Sequence, residues 1–138
     1  MNWKRFWLAS AAAFAAVEAI GLLVDTVFMK QDYESLRSLW RPNMMSRLWV
    51  TYVVGAMAAL LFTYIFVKGR EGKGILEGVR YGIIIWLFVS VPMGVSTWVT
   101  FPIGYRIILK GLIFGLLEML AAGVLVAVIY KPKAPVKA

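Results

Sequence analysis

Residues 107–130 read IILKGLIFGLLEMLAAGVLVAVIY, and within them only Lys110 and Glu118 carry charge. A hydrocarbon core about 30 Å thick takes roughly 20 apolar residues in helical form, and this stretch has that length. It lacks the period-two alternation of a barrel strand, so its peptide groups must find their partners inside a helix. The same ruler laid along the chain finds three further runs, Phe6–Phe28, Leu48–Val67 and Tyr81–Phe101. The expected fold is all-α: a polytopic transmembrane four-helix bundle with short loops and antiparallel neighbours, one domain over residues 1–138.

Composition agrees with that expectation. Of the 138 residues, 62% are hydrophobic and 16% charged, and the mean hydropathy is +0.78, far above a soluble domain of this size. Cysteine and histidine are both absent. Disulfides, thiolate metal sites and cysteine nucleophiles are thereby excluded, and the usual ligands of zinc, copper and haem go with them. No cofactor or metal is expected. The formal charge of +8 sits mostly in short segments between apolar runs, where attraction to anionic lipid headgroups accounts for it, so no nucleic-acid partner is expected.

Orientation follows from counting cations on each side. With the N-terminus inside, nine Lys and Arg fall inside (Lys4, Arg5, Lys68, Arg70, Lys73, Arg80, Lys131, Lys133, Lys137) against six outside (Lys30, Arg37, Arg41, Arg47, Arg106, Lys110). Both termini are therefore expected in the cytoplasm of a cell (inner) membrane protein. Trp3, Trp7, Trp40, Trp49, Trp98, Tyr105 and Tyr130 lie near the ends of the runs, where amphipathic rings settle among headgroups. Val17-Glu18-Ala19 loosely fits a signal-peptide cleavage site, but a cut there would strand Ile20–Met29, and the run to Phe28 has a spanning length. Between the first two runs, Asp32 is expected to cap a short interfacial helix with Tyr33, Leu36 and Trp40 on one face, ended by Arg41-Pro42. Residues 131–138, with two prolines among lysines, are expected to form a mobile basic tail.

Glu18 and Glu118 are the sharpest chemical feature, since each falls near the middle of an apolar run. A carboxylate at the bilayer centre costs about 3 kcal/mol even on translocon-derived scales, so both should face protein or water. Helical spacing places Ala11, Ala15, Glu18, Leu22 and Asp25 on one stripe, and Gly111, Gly115, Glu118 and Ala122 on another. Small residues let backbones approach, so Ala11, Ala15, Gly111, Gly115 and Ala122 are the expected packing contacts between the first and fourth helices. Two outcomes are open for the carboxyls. They can share a proton or a cation in a polar cavity, or they can bond to Ser10, Thr63, Ser90, Ser96 or a tyrosine and serve only to hold the bundle.

Asp25 and Lys110 stand at matching ends of their helices, where they can pair as orientation anchors or snorkel to the headgroups, and with Glu18 and Glu118 they make up a candidate intramembrane polar site. Glu77 and Arg80 are three apart and can pair directly. Pro92 is expected to kink the third helix, the freed carbonyl being satisfied by nearby hydroxyls. Gly69-Arg70-Glu71-Gly72-Lys73-Gly74 has neither the hydroxyl residue after the lysine nor the preceding strand of a phosphate loop, and reads as a basic turn for anionic headgroups.

Phe14-x-x-x-Glu18 and Phe114-x-x-x-Glu118 repeat one spacing on helices of opposite direction, the pattern of an inverted repeat. Trp40-Arg41-Pro42 ahead of the second run, and Glu77-Gly78-Val79-Arg80-Tyr81-Gly82 opening the third, carry a resemblance to small bacterial four-helix membrane proteins of unknown function. That resemblance implies a bacterial inner membrane and no particular activity. With no catalytic constellation in sight, the expected role is a non-enzymatic accessory or structural membrane component, as a homo-oligomer or within a larger complex. Its docking surface would be Tyr33, Leu36, Leu39, Trp40, Met44 and Met45. The competing role is an oligomeric translocator of protons, cations or a small solute past Glu18, Glu118 and the Pro92 kink.

Overall fold

The computed structural model describes residues 1–131. Apart from Lys131, the tail expected over 131–138 lies outside the described residues. Among those residues all regular structure is helical, and four helices are long and apolar enough to cross a membrane: α1 (Trp3–Phe28), α3 (Met45–Gly69), α4 (Ile75–Thr100) and α5 (Tyr105–Ile129). The short helix α2 (Lys30–Ser35) lies between α1 and α3. α4 begins six residues before the apolar run that marks it, because Glu77 and Arg80 are helical although charged. Hydropathy measures the width of an apolar slab, whereas the helix continues as long as its backbone bonds are made.

Local chemistry sets the ends. Asn2 caps α1, its side-chain oxygen accepting the Arg5 N–H at 3.1 Å. Gly72 and Gly74 turn the chain into α4 at φ of 80° and 73°, a region closed to most side chains. Pro92 has no N–H for the preceding turn, and the helix absorbs the loss by widening: Trp86–Ser90 is π-helical, with the Val91 N–H reaching back to the Trp86 carbonyl. The device expected as a kink is thus a π-turn directly before the proline. Asp32 does not cap α2; it stands within the first turn, and Met29 holds the cap position without a side-chain bond. The apolar face expected there is partly made, with the Tyr33 and Trp40 rings 6.4 Å apart.

Around the bundle the order is α3, α1, α5, α4, with α1 packed on both α3 and α5, and α4 packed along α5. Small residues decide where backbones meet. A Cβ added to Gly78 would stand 2.3 Å from the Gly123 carbonyl oxygen, one on Gly82 would stand 2.4 Å from that of Met119, and one on Gly123 would stand 2.2 Å from that of Gly78. The close crossing is therefore Gly78-x-x-x-Gly82 of α4 against α5 at Gly123. The stripe expected from spacing lies elsewhere: Gly111 is exposed with nothing near its missing Cβ, Gly115 makes only ordinary contacts, and Ala11 and Ala15 face outward. On α1 the packed face is Phe6, Ala9, Ser10 and Ala13, which meets Phe62 and Phe66 of α3 and Ala122, Val126 and Ala127 of α5 in the core.

That core fills one end of the bundle. There Tyr130, expected among the headgroup-level rings, is buried: its hydroxyl accepts the Asn2 N–H at 2.9 Å, and its carbonyl accepts Arg70 Nη1 at 2.6 Å. Arg5 adds a bond to the Lys131 carbonyl at 2.9 Å. The N-terminus, the 70–74 loop and the close of α5 are thus tied together. The rings of Phe62 and Phe66 on α3 meet Tyr81 on α4, and beyond these contacts α3 and α4 part company.

Candidate functional site

A cavity of about 400 Å³ occupies that parting, at the mid-length of all four long helices. Its floor is α1 and α5, through Val17, Glu18 and Met119; its walls are Gly55 and Ala58 of α3 and Phe88 of α4. Leu61, Ile65, Phe88 and Val89 line it and are themselves exposed on the outer face, so it opens sideways between α3 and α4. On the α3 side the lining is small, with Gly55, Ala58 and Ala59, and these leave space that the facing α4 side chains do not fill.

Glu18 is the charged group of this cavity. Its Oε1 lies 3.1 Å from the position a Cβ on Gly55 would take, so the carboxyl rests over the bare backbone of α3, with the Phe14 ring beside it. The lining is otherwise apolar except for Ser90 and for Tyr81, whose hydroxyl is already donated to the Phe62 carbonyl at 2.6 Å. Glu118 does not share the cavity. Its Oε1 lies 3.5 Å from where Gly21 would carry a Cβ, on the seam between α1 and α5. Glu18 and Asp25 lie within its electrostatic reach. Of the two carboxyls, Glu18 thus lines the apolar lateral cavity and Glu118 lies between helices.

Neither carboxyl is tied down by a hydroxyl. Ser10 Oγ donates to the Phe6 carbonyl at 2.9 Å, Thr63 Oγ1 is buried without a partner, and no hydrogen bond or ion pair to Glu18 or Glu118 occurs among the described residues. Nor, among those residues, do three or more acidic groups gather as metal ligands would.

The pairings expected from sequence are exchanged for others. Lys110 Nζ bonds Asp32 Oδ2 at 2.7 Å and not Asp25, because α2 folds back over the start of α5. Asp25 instead stands near Tyr33, whose phenol burial, and then Asp25, push up to about 12. Glu77 does not pair with Arg80: it is buried, and its carboxylate accepts the backbone N–H groups of Glu71 and of Lys73, the latter at 2.8 Å. Glu71 takes both cations, Lys73 at 2.5 Å and Arg80 at 2.6 Å, and these hold its carboxyl below the usual carboxylate range, Lys73 foremost. A second cavity of about 460 Å³ lies under this loop, but its acid and its arginine are already committed in this way.

Gly55, Ala58 and Phe88 were not singled out by sequence reasoning. Gly55-x-x-x-Ala59 on α3 was the available signal, small residues at helix-packing spacing, and it is mute about whether a helix or a void lies opposite. Comparison of the chain with family models, with curated proteins and with solved structures gave no match.

Proposed function

We propose that the chain is a multi-pass protein of the cell (inner) membrane, both ends cytoplasmic, that works without catalysis by holding an apolar guest from the bilayer in the cavity that ends on Glu18. The outer surface of α4 supports the setting: Leu76, Phe88 and Val99, spread from one end of the helix to the other, are 78%, 78% and 72% exposed, which suits hydrocarbon and not water. The observation that carries the function is the cavity itself. A volume of 400 Å³ lies within the range of small-molecule sites, and its opening faces the lipid side of the bundle. A binding component of this kind is an accessory protein, with the exposed Leu39, Trp40 and Met45 of the 36–45 segment as its contact to a larger assembly.

Native mass spectrometry of the protein released from micelles tests the binding. A stoichiometric guest on the wild type that is missing from Ala58→Trp, in which the indole fills the cavity, is the expected result. Identical adducts on both proteins would sink it, and a dimer abolished by Ala58→Trp would make the cavity an interface between copies.

One observation favours a second function, translocation of a proton, cation or solute: the carboxyls of Glu18 and Glu118 have no bonded partner among the described residues. Flux in proteoliposomes that survives both Glu18→Gln and Glu118→Gln would end that idea.

A further inference from the structure

We infer that the guest of the Glu18 cavity is a lipophilic organic cation, an ammonium or phosphonium with an apolar body, whose charge is matched by the Glu18 carboxylate. The inference rests on the binding function proposed above and adds to it the sign of the guest.

The cavity is unequal in its chemistry. It offers one carboxyl, Glu18, and no Lys or Arg lines it. Tyr81 has no free donor to give, since its hydroxyl is spent on the Phe62 carbonyl, and Ser90 is the remaining hydroxyl in the lining. A carboxylate in apolar surroundings is poorly solvated, so a guest bringing positive charge recovers interaction that a neutral guest leaves unmade, and an anionic guest meets repulsion. The aromatic rings fit the same sign. Phe14, Phe62 and Phe88 also line the space, and an aromatic face turned to a guest attracts a cation and not an anion.

The placement of Glu18 also sets the pose. With its Oε1 over Gly55, the charge sits on the inner wall, while the rim is Leu61, Ile65 and Phe88. A guest therefore enters sideways with its charged centre inward and its apolar body toward the hydrocarbon. A plain acyl chain would fill the same volume without using Glu18 at all.

Full-length protein in zwitterionic nanodiscs is titrated with tetraphenylphosphonium, with its isosteric anion tetraphenylborate, and with empty nanodiscs to subtract partitioning into lipid. Saturable binding of the cation alone is expected. Glu18→Gln should weaken it about tenfold to a hundredfold, the worth of one charge-assisted contact, and Ala58→Trp should abolish it. Matching circular dichroism and monodispersity show that both variants fold. Equal binding of cation and anion, or cation binding indifferent to Glu18→Gln, overturns the cationic guest while the cavity remains a binding site. No saturable binding of either probe, together with identical native mass spectra for wild type and Ala58→Trp, overturns both.

Discussion

In Gly78→Ala the new methyl would stand 2.3 Å from the carbonyl oxygen of Gly123 and 2.8 Å from the Cβ of Ala127. Carbon–oxygen contacts between packed helices settle at about 3.3–3.6 Å, so α4 and α5 must part by about 1 Å at this crossing. The obstacle is a helical carbonyl, held by its own hydrogen bond and unable to swing aside as a side chain would. Parting loosens the contacts of Ala122, Val126 and Ala127 beside it, and overpacking of this kind costs about 1–3 kcal/mol. Gly82→Ala, at 2.4 Å from the Met119 carbonyl, should cost as much, and the double variant less than the sum, since one separation relieves both clashes. Gly111→Ala is the control, with nothing near its Cβ, and Gly55→Ala meets only the movable ends of Glu18 and Phe14. Reversible unfolding in mixed micelles with rising SDS fraction, followed by circular dichroism, reads all five variants. Gly78→Ala within about 0.5 kcal/mol of wild type, or no worse than Gly111→Ala, would refute the account of this seam.

Glu77→Ala removes the acceptor for two loop N–H groups and should cost about 1–3 kcal/mol, with the amides of Glu71 and Lys73 exchanging faster in deuterium oxide; unchanged exchange would contradict that role. Tyr33 has its phenol raised from 10.0 to about 12, so the neutral form is favoured in the folded chain and its contribution to stability is intact below pH 10. That contribution disappears as pH climbs through about 12, and Tyr33→Phe should delete a tyrosinate absorbance step there and not near 10. Lys110→Met breaks an ion pair still open to solvent on its lysine side, so stability should move by about 1 kcal/mol or less. Trypsin should nonetheless cut after Arg37 sooner, because that pair tethers α2 to α5; equal cleavage rates would remove the tether.

Which faces of the helices would meet was largely hidden in the sequence, and the glycines show why. Gly78, Gly82, Gly111, Gly115 and Gly123 all invite close approach, and spacing alone favoured Gly111 and Gly115 because they share a stripe with Glu118. The structure puts the contact at Gly78, Gly82 and Gly123. A helix that is apolar all round carries no hydropathy signal for its inner face, so facing is set by the fit of one backbone against another. The same limit hid the partner of Lys110, since Asp25 and Asp32 are both at the right end of the chain's first helical pair and only the fold-back of α2 chooses Asp32. The cavity was illegible altogether, being a place where two consecutive helices, α3 and α4, fail to pack on each other.

What the amino-acid order determined by itself was the all-helical class and the number of long apolar helices. Those features depend on contiguous apolar length and on the satisfaction of peptide groups within one segment. Tertiary structure alone decided that Glu18 opens onto a lateral cavity while Glu118 stays between helices. Close packing depends on the shapes of two surfaces at once, and a single segment specifies only one of them.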